Sequence, residues 1–244
     1  MRVLVISDIH ANLTAFETVL ADAEGEWEMI WCLGDVIGYG PDPNECVALL
    51  REQNHMSLSG NHDWAVLDKL DTRVFNDDAK RAIAWAQSVL TDETRAYLDS
   101  LPARVDDQHP AFTLAHGSPR EPVWEYILDS LTALANFDLI ETPLCLVGHS
   151  HVAGLFERMG ATRVVPRSPI YRRPITLVDK EMILNPGSVG QPRDSDPRAA
   201  YALLDTDEMT WEFRRVAYAI EETQARMTAH GLPERLVQRL NYGW

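Results

Sequence analysis

Five short apolar runs in this sequence end in residues able to hold a metal ion or move a proton. RVLVI leads into Ser7-Asp8-Ile9-His10, MIWCL into Gly34-Asp35, and MSLS into Gly60-Asn61-His62-Asp63. FTLA leads into His116-Gly117, and LCLV into Gly148-His149-Ser150-His151. In an extended backbone, positions i and i+2 share a face, so His149 and His151 can present two imidazoles to one place. Taken singly, each run end has an ordinary explanation. An Asp after a strand is commonly a turn or cap, and GNHD suits a turn because Gly and Asn tolerate left-handed geometry. Recurring at five run ends, grouped His and Asp mark a metal or catalytic site instead.

The donor count narrows the chemistry. Asp8, His10, Asp35, Asn61, His116, His149 and His151 are seven candidate ligands. A structural zinc takes four and a catalytic zinc three. Seven suit two ions that share a bridging carboxylate, and two metals ~4 Å apart form a clamp for in-line displacement at phosphorus. Mixed nitrogen and oxygen donors without thiolate suit two divalent transition-metal ions, Mn, Fe, Zn, Co or Ni, and suit Ca or Mg poorly.

Such side chains converge if the runs are strands whose carboxyl ends gather, the place where open α/β sheets bind ligands. The intervening segments supply the helices this needs. NLTAFETVLADAE, PNECVALLREQ, DAKRAIAWAQSVL and DETRAYLDSL all have helical patterns. Asp42 is the expected N-cap of the second with Pro43 at its first position, and Thr91 caps the fourth. Later, AAYALLD and MTWEFRRV flank a short TDE connection, and Met209, Trp211 and Phe213 alternate with polar residues, as in a half-buried hairpin. A final helix over roughly 217–230 precedes PERLVQRLNYGW. The alternation implies one α/β domain over residues 1–244, with a mixed sheet or two stacked sheets between helices.

Composition sets limits on partners. With 45% hydrophobic residues the chain can bury a sizeable core. A net charge of −15 opposes nonspecific binding to nucleic acid or anionic membranes. Three cysteines in apolar or amphipathic runs read as buried thiols of a reducing compartment, and no CxxC pair exists. The apolar start is too short for a signal h-region, and no stretch approaches a membrane span. The expectation is a cytoplasmic protein acting on a small phosphoester, without membrane or extended nucleic acid as partner; a homo-oligomer is compatible with this.

In order, SDIH, GDVIGYG, GNHD, HG and GHSH resemble the five blocks of the calcineurin-like metallophosphoesterases, over residues 7–151. NPGS at 185–188 resembles a late turn motif of the bacterial phosphodiesterase branch. The resemblance implies a four-layer α/β/β/α sandwich of two mixed sheets flanked by helices, with a two-metal centre between strand ends. It places Asp8, His10 and His151 on the first metal and Asn61, His116 and His149 on the second, with Asp35 bridging. The implied reaction is attack of a metal-bridging hydroxide on phosphorus. His62 is then catalytic, since a departing alkoxide needs a proton and imidazole supplies one near neutral pH. Asp63 follows it and is placed in sequence to orient it, with a turn cap as the alternative.

Substrate is less constrained. GDVIGYGPDP and GNHD differ from the GDxVDRG and GNHE of the superfamily's protein phosphatases. The blocks resemble small bacterial phosphodiesterases and asymmetric dinucleoside-polyphosphate (Ap4A-type) hydrolases alike. Residues 158–178 hold Arg158, Arg163, Arg167, Arg172 and Arg173 and no acid, so Arg163, Arg167, Arg172 and Arg173 are candidate phosphate clamps. A solvated hairpin or self-association surface is the alternative. Trp64 and Trp124 are candidates for stacking on a base, with core packing as their alternative. The favoured function is a metal-dependent phosphoric ester hydrolase, a phosphodiesterase with manganese among the candidate metals. A non-catalytic metal-binding scaffold and a nuclease are the competing classes; a complete ligand set opposes the first and the acidic charge the second.

Overall fold

The computed structural model describes all 244 residues. In chain order its first elements are β1 (Arg2–Ile6), α1 (Leu13–Asp22), β2 (Met29–Cys32), α2 (Pro43–Arg51), β3 (His55–Ser57) and α3 (Asn61–Val66). Next come α4 (Asp77–Val89), α5 (Asp92–Asp99), β4 (Arg104–His109), β5 (Phe112–Ala115), α6 (Ser130–Phe137), β6 (Leu144–Leu146) and β7 (Gly154–Arg158). The chain closes with β8 (Val164–Arg167), β9 (Ile175–Thr176), β10 (Met182–Asn185), β11 (Ala199–Asp205), β12 (Thr210–Val216), α7 (Ile220–Ala229) and α8 (Glu234–Arg239).

The strands form two six-stranded mixed sheets, ordered β3-β2-β1-β11-β12-β9 and β4-β5-β6-β10-β7-β8. β1, β2 and β3 run parallel, as do β5, β6 and β10. Alternation along β1 shows how the layers arise. Leu4 and Ile6 pack with Phe16 and Val19 of α1 and Val47 and Leu50 of α2. Val3 and Val5 face the other way, joining Trp31, Phe112, Leu146 and Trp211 in the core between the sheets. On the far side, Ala133 and Phe137 of α6 meet Val147 and Ile183. Helices, sheet, sheet and helix follow one another, the four-layer sandwich that the family resemblance implies and the second of the two arrangements that the strand–helix alternation left open.

The β11–β12 hairpin carries Trp211 and Phe213 into the inter-sheet core, as their alternation predicts. Thr91 caps α5 through the Thr94 amide. Asp42 behaves differently from the expectation: no side-chain cap hydrogen bond forms at α2. Its carboxylate instead accepts from the Arg226 guanidinium at 2.8 and 2.9 Å, tying α7 to the start of α2. α7 and α8 then close over Tyr39, Ala79 and Ala82 through Met227, Leu236 and Leu240. That docking brings the end of the chain beside the strand ends. No helix is long and apolar enough to cross a membrane.

Candidate metal centre

Asp8 and His10 follow β1, Asp35 follows β2, and Asn61 opens α3 beyond β3. These come from the first sheet. His116 follows β5, and His149 and His151 follow β6 of the second. The two sheets thus deliver their residues to one point from opposite sides.

The backbone there is unusual. Asp8, His10, Asp35, His149 and His151 have φ of 54°, 49°, 51°, 62° and 59°. Left-handed conformation costs a non-glycine residue about 1–3 kcal/mol and persists only where its surroundings over-determine it. Here the surroundings are explicit. The amide of Asp8 donates to the Gly34 carbonyl and that of His10 to the Asp35 carbonyl, both at 3.0 Å. The His149 amide donates to Asp8 Oδ2 at 3.1 Å. NPGS braces both sides: Asn185 Nδ2 donates to the Gly148 carbonyl (2.7 Å) and Ser150 Oγ (3.0 Å), while Ser188 Oγ donates to the Asp8 carbonyl (2.8 Å). At Gly60 and Gly148 a Cβ would collide with the Asp35 carboxylate and with Ser7 Oγ.

The donors form two buried groups that share one residue. Asp8, His10, Asp35 and His151 have donor atoms within 4.8 Å of one another, and so do Asp35, His116 and His149. Asn61 Oδ1 lies 3.3 Å from His116 Nε2, beside the second group. The ring orientations are fixed from behind. His10, His116 and His151 set Nδ1 against the carbonyls of Ile37 (3.2 Å), Leu33 (2.8 Å) and Gln191 (2.5 Å). His149 sets Nε2 against the Trp124 carbonyl at 3.1 Å. With those nitrogens as donors, the other nitrogen of each ring keeps its lone pair for the centre, the arrangement common among metal-ligating histidines.

Do these residues fit metal ions? Asp8 Oδ1 and Asp35 Oδ2 are buried without any hydrogen-bond partner, and such a pair is costly unless a cation meets it. Protein side chains answer only in part. Burial pushes the Asp8 carboxyl up, and the neighbouring Asp35 charge adds to that. Burial also acts to raise Asp35, but His116 and His62 outweigh it and hold that carboxyl well below the usual range. Burial lowers His116 too, yet the Asp35 charge prevails and raises it to about 9. Burial drives His149 down to about 3 and holds His10 and His151 well below the ordinary imidazole value. Three neutral imidazoles, and His116, which a metal ion would deprotonate, around orphaned carboxylate oxygens are a donor set suited to divalent cations.

His62 stands at the lip. Neither of its ring nitrogens has a protein partner, and Nδ1 is buried. Its ring lies 4.4 Å from Tyr39, 4.9 Å from His10 and 5.2 Å from Phe75 between centroids. Burial lowers it to about 4. Asp63, expected to orient it, does not touch the imidazole. Its Oδ2 accepts from the Gly60 (2.9 Å) and Val36 (3.3 Å) amides and its Oδ1 from Ile37 (3.1 Å), so it ties the GDVI and GNHD loops together. In α3 the Asp63 side chain folds back on its own N-terminus, whereas packed rings set the position of His62.

A cleft of about 460 Å³ opens over the cluster. Trp124, 40% exposed, lines it with Phe75, Tyr126, Tyr39, Arg193, Arg235 and Arg239. Trp64 is half-buried in α3 and does not line it. The arginine-rich segment also lies elsewhere. β7 and β8 form a hairpin in which Arg167 pairs with Glu157 at 2.6 Å, and Arg172 reaches Asp22 of α1 at 3.2 Å. Arg163 and Arg173 are exposed, and none of the four lines the cleft. Sequence reading found charge density but not position. Tyr39 lies within the GDVIGYG block, and Arg193 lies five residues past NPGS with no motif of its own to mark it.

A strand-end cluster of this kind between two mixed sheets defines a metallophosphoesterase fold, and comparison with known proteins agrees. The calcineurin-like phosphoesterase superfamily domain matches residues 1–209, and the chain belongs to that superfamily. It is 38% identical over 247 residues to an uncharacterized protein of Methanocaldococcus jannaschii, covering 99% of this chain and 98% of that one. It is similar to the crystal structure of a metallophosphoesterase from Sphaerobacter thermophilus, with 46% identity, a TM-score of 0.91 and coverage of 100% and 99%. A hypothetical protein from Pyrococcus horikoshii shares the fold at 22% identity, with a TM-score of 0.80 over 100% of this chain and 98% of that one.

Proposed function

We propose that the protein is a two-metal-dependent phosphoesterase that hydrolyses phosphodiester or phosphoanhydride bonds of small, nucleotide-type substrates. The observation that carries this is the pair of buried donor groups sharing Asp35, with His62 unpartnered at their cleft-side edge. Asp8, His10 and His151 would hold one ion, Asn61, His116 and His149 the other, and Asp35 both. Bound there, divalent ions supply charge neutralisation for a phosphoryl group and a nucleophile at neutral pH.

The chain's own residues do the rest. The left-handed turns and NPGS brace fix the donors, so little reorganisation is needed when substrate enters. Hydrolysis forms a bond from a water oxygen to phosphorus and breaks the bond to the leaving oxygen, which must take a proton. His62 lines the cleft and is free of protein partners, so it is the group to supply that proton. In the free protein His62 is neutral at neutral pH; an anionic phosphoryl group beside it favours the protonated form.

The test is a substrate panel. Protein reconstituted with Mn, Fe, Zn, Co or Ni is offered bis-p-nitrophenyl phosphate, p-nitrophenyl phosphate, cyclic nucleotides and dinucleoside polyphosphates. Turnover of a diester or anhydride is expected. Failure on every compound with every metal discards the reading in favour of a metal-binding scaffold.

A further inference from the structure

The cleft over the cluster also carries three arginines that have no Asp or Glu partner. Arg193 follows the NPGS turn, and its Nη2 donates to Tyr39 Oη (3.2 Å) and Gln191 Oε1 (3.0 Å). Its guanidinium lies 5.6 Å from the centre of the Tyr39 ring, and its Nε is buried with no hydrogen-bond partner. Arg235 and Arg239 stand one turn apart on α8 and line the same cleft. None of the three pairs with an Asp or Glu, although the chain holds 37 acidic residues against 22 Lys and Arg; Arg239 Nε donates to the Trp244 oxygen, and Arg193 and Arg235 have no such partner. Asp78 of α4 also lines the cleft and offsets one charge at most. Burial pushes the Arg239 guanidinium down to about 10, with Arg193 and then Arg235 among the other causes, yet it stays charged at neutral pH.

Like charges gathered in a partly desolvated cleft repel one another, and an anion that pairs with several guanidinium groups relieves this. The scissile phosphoryl group already has its place at the strand-end cluster. Arg193 adjoins that cluster, its amide donating to the His151 carbonyl at 3.1 Å, whereas Arg235 and Arg239 stand on α8, so an anion held between Arg193 and α8 is a second group. Beside them the cleft presents Trp124 and Tyr126, 40% and 45% exposed, and Phe75, whose ring meets Trp124 edge-on at 5.5 Å. Aromatic faces of this kind stack on bases.

We propose that Arg193, Arg235 and Arg239 form a second anion subsite that selects substrates bearing a further phosphate beyond the scissile one, carried by a nucleotide whose base lies against Trp124 and Phe75. This rests on the phosphoesterase reading of the same cleft. It separates substrates by phosphate number, which the metal cluster alone does not do.

The test reads binding as well as turnover. AMP and ADP compete against bis-p-nitrophenyl phosphate hydrolysis by the metal-loaded enzyme, with free metal in excess. ADP is expected to inhibit at least tenfold more tightly than AMP, and Arg235→Ala/Arg239→Ala to erase that advantage. Arg193→Lys, which keeps the buried charge, is expected to reduce it, and melting curves confirm that each variant folds. Equal inhibition by AMP and ADP, or an ADP advantage that survives the double substitution, overturns the subsite.

Calorimetric titration of inorganic tripolyphosphate into the chelator-treated full chain keeps the two readings apart. If no metal supports hydrolysis, the phosphoesterase reading fails. The subsite then stands if tripolyphosphate binding weakens at least tenfold in the double variant, and falls if it is unchanged. Trp124→Ala distinguishes the source of the phosphates. Weaker ADP with unchanged tripolyphosphate supports a nucleotide; unchanged affinity for both overturns that part of the proposal.

Discussion

The strand-end cluster and the β7–β9 segment are each dense in chemistry-bearing side chains, and they differ in what the protein has done with them. In the first, carboxylate oxygens of Asp8 and Asp35 are buried without partners, and five residues hold left-handed backbone to keep the donors converged. In the second, Arg158 pairs with Asp138, Arg167 and Lys180 both pair with Glu157, and Arg172 pairs with Asp22. The exposed pairs among these contribute about 0–1 kcal/mol, and buried Glu157 is met by two cations, so the segment needs no outside ligand. A polar group left unsatisfied in the interior costs about 1–3 kcal/mol, and more when charged. Density of charged side chains therefore marks a site poorly. Unmet demand for a counter-charge marks it well.

The largest effect expected from this contrast is at Asp35, the residue common to both donor groups. Asp35→Asn removes a charge while keeping the shape. Metal content by elemental analysis should fall at both sites, and turnover should drop by ~10³-fold or more, as for loss of a group acting only as part of a unit. Retention of both ions would show that the shared carboxylate is not what holds them.

His62→Ala comes next. Metal content should be unchanged, while turnover of an alkyl phosphodiester falls by about 10²- to 10⁴-fold, the range for general acid catalysis. A p-nitrophenyl leaving group, stable without a proton, should lose far less. Equal wild-type and variant rates on the alkyl diester would remove His62 from the chemistry. Asp63 needs a different readout: holding three loop amides, it should register in melting temperature when changed to Ala.

His149→Ala and His151→Ala sharpen the division inside the cluster. His151 sits with Asp8 and His10, with its Nε2 3.3 Å from Asp8 Oδ1, whereas His149 sits with His116. Each variant is expected to deplete one ion of a pair, visible as different residual occupancies in crystals of the metal-loaded proteins. Depletion of the same site by both would dissolve the two-group reading.

Much of this cluster was legible because its logic is local. Each ligand follows a short apolar strand directly, so strand ends read along the chain become neighbours in the sandwich. The β11–β12 hairpin was equally visible from the alternation of Trp211 and Phe213. β4 was not, because RVDDQH at the sheet edge has no apolar alternation to read. Nor was the arginine group. Arg193 lies in a loop, and Arg235 and Arg239 look like the solvated face of a short helix. Only the docking of α7 and α8 through Met227, Leu236 and Leu240 carries them to the cleft. Asp63 was misread for a related reason: adjacency to His62 in sequence places it on a helix turn where the nearest amides, not the imidazole, are in reach.

The smallest expected effect closes the comparison from the other side. Arg163 and Arg173 are the exposed arginines of the basic segment that pair with no carboxylate, so charge alone would make them its best phosphate clamps. Neither lines the cleft, and exposed charges separated from a reacting group by more than a Debye length, about 8 Å at physiological salt, are largely screened. Arg163→Ala/Arg173→Ala should therefore change kcat/KM on bis-p-nitrophenyl phosphate and on a dinucleoside polyphosphate by less than about twofold at that ionic strength. A loss of tenfold or more on the dinucleotide alone would mean that the β7–β9 segment reaches bound substrate. The division between a satisfied basic hairpin and an unsatisfied cleft would then have to be redrawn.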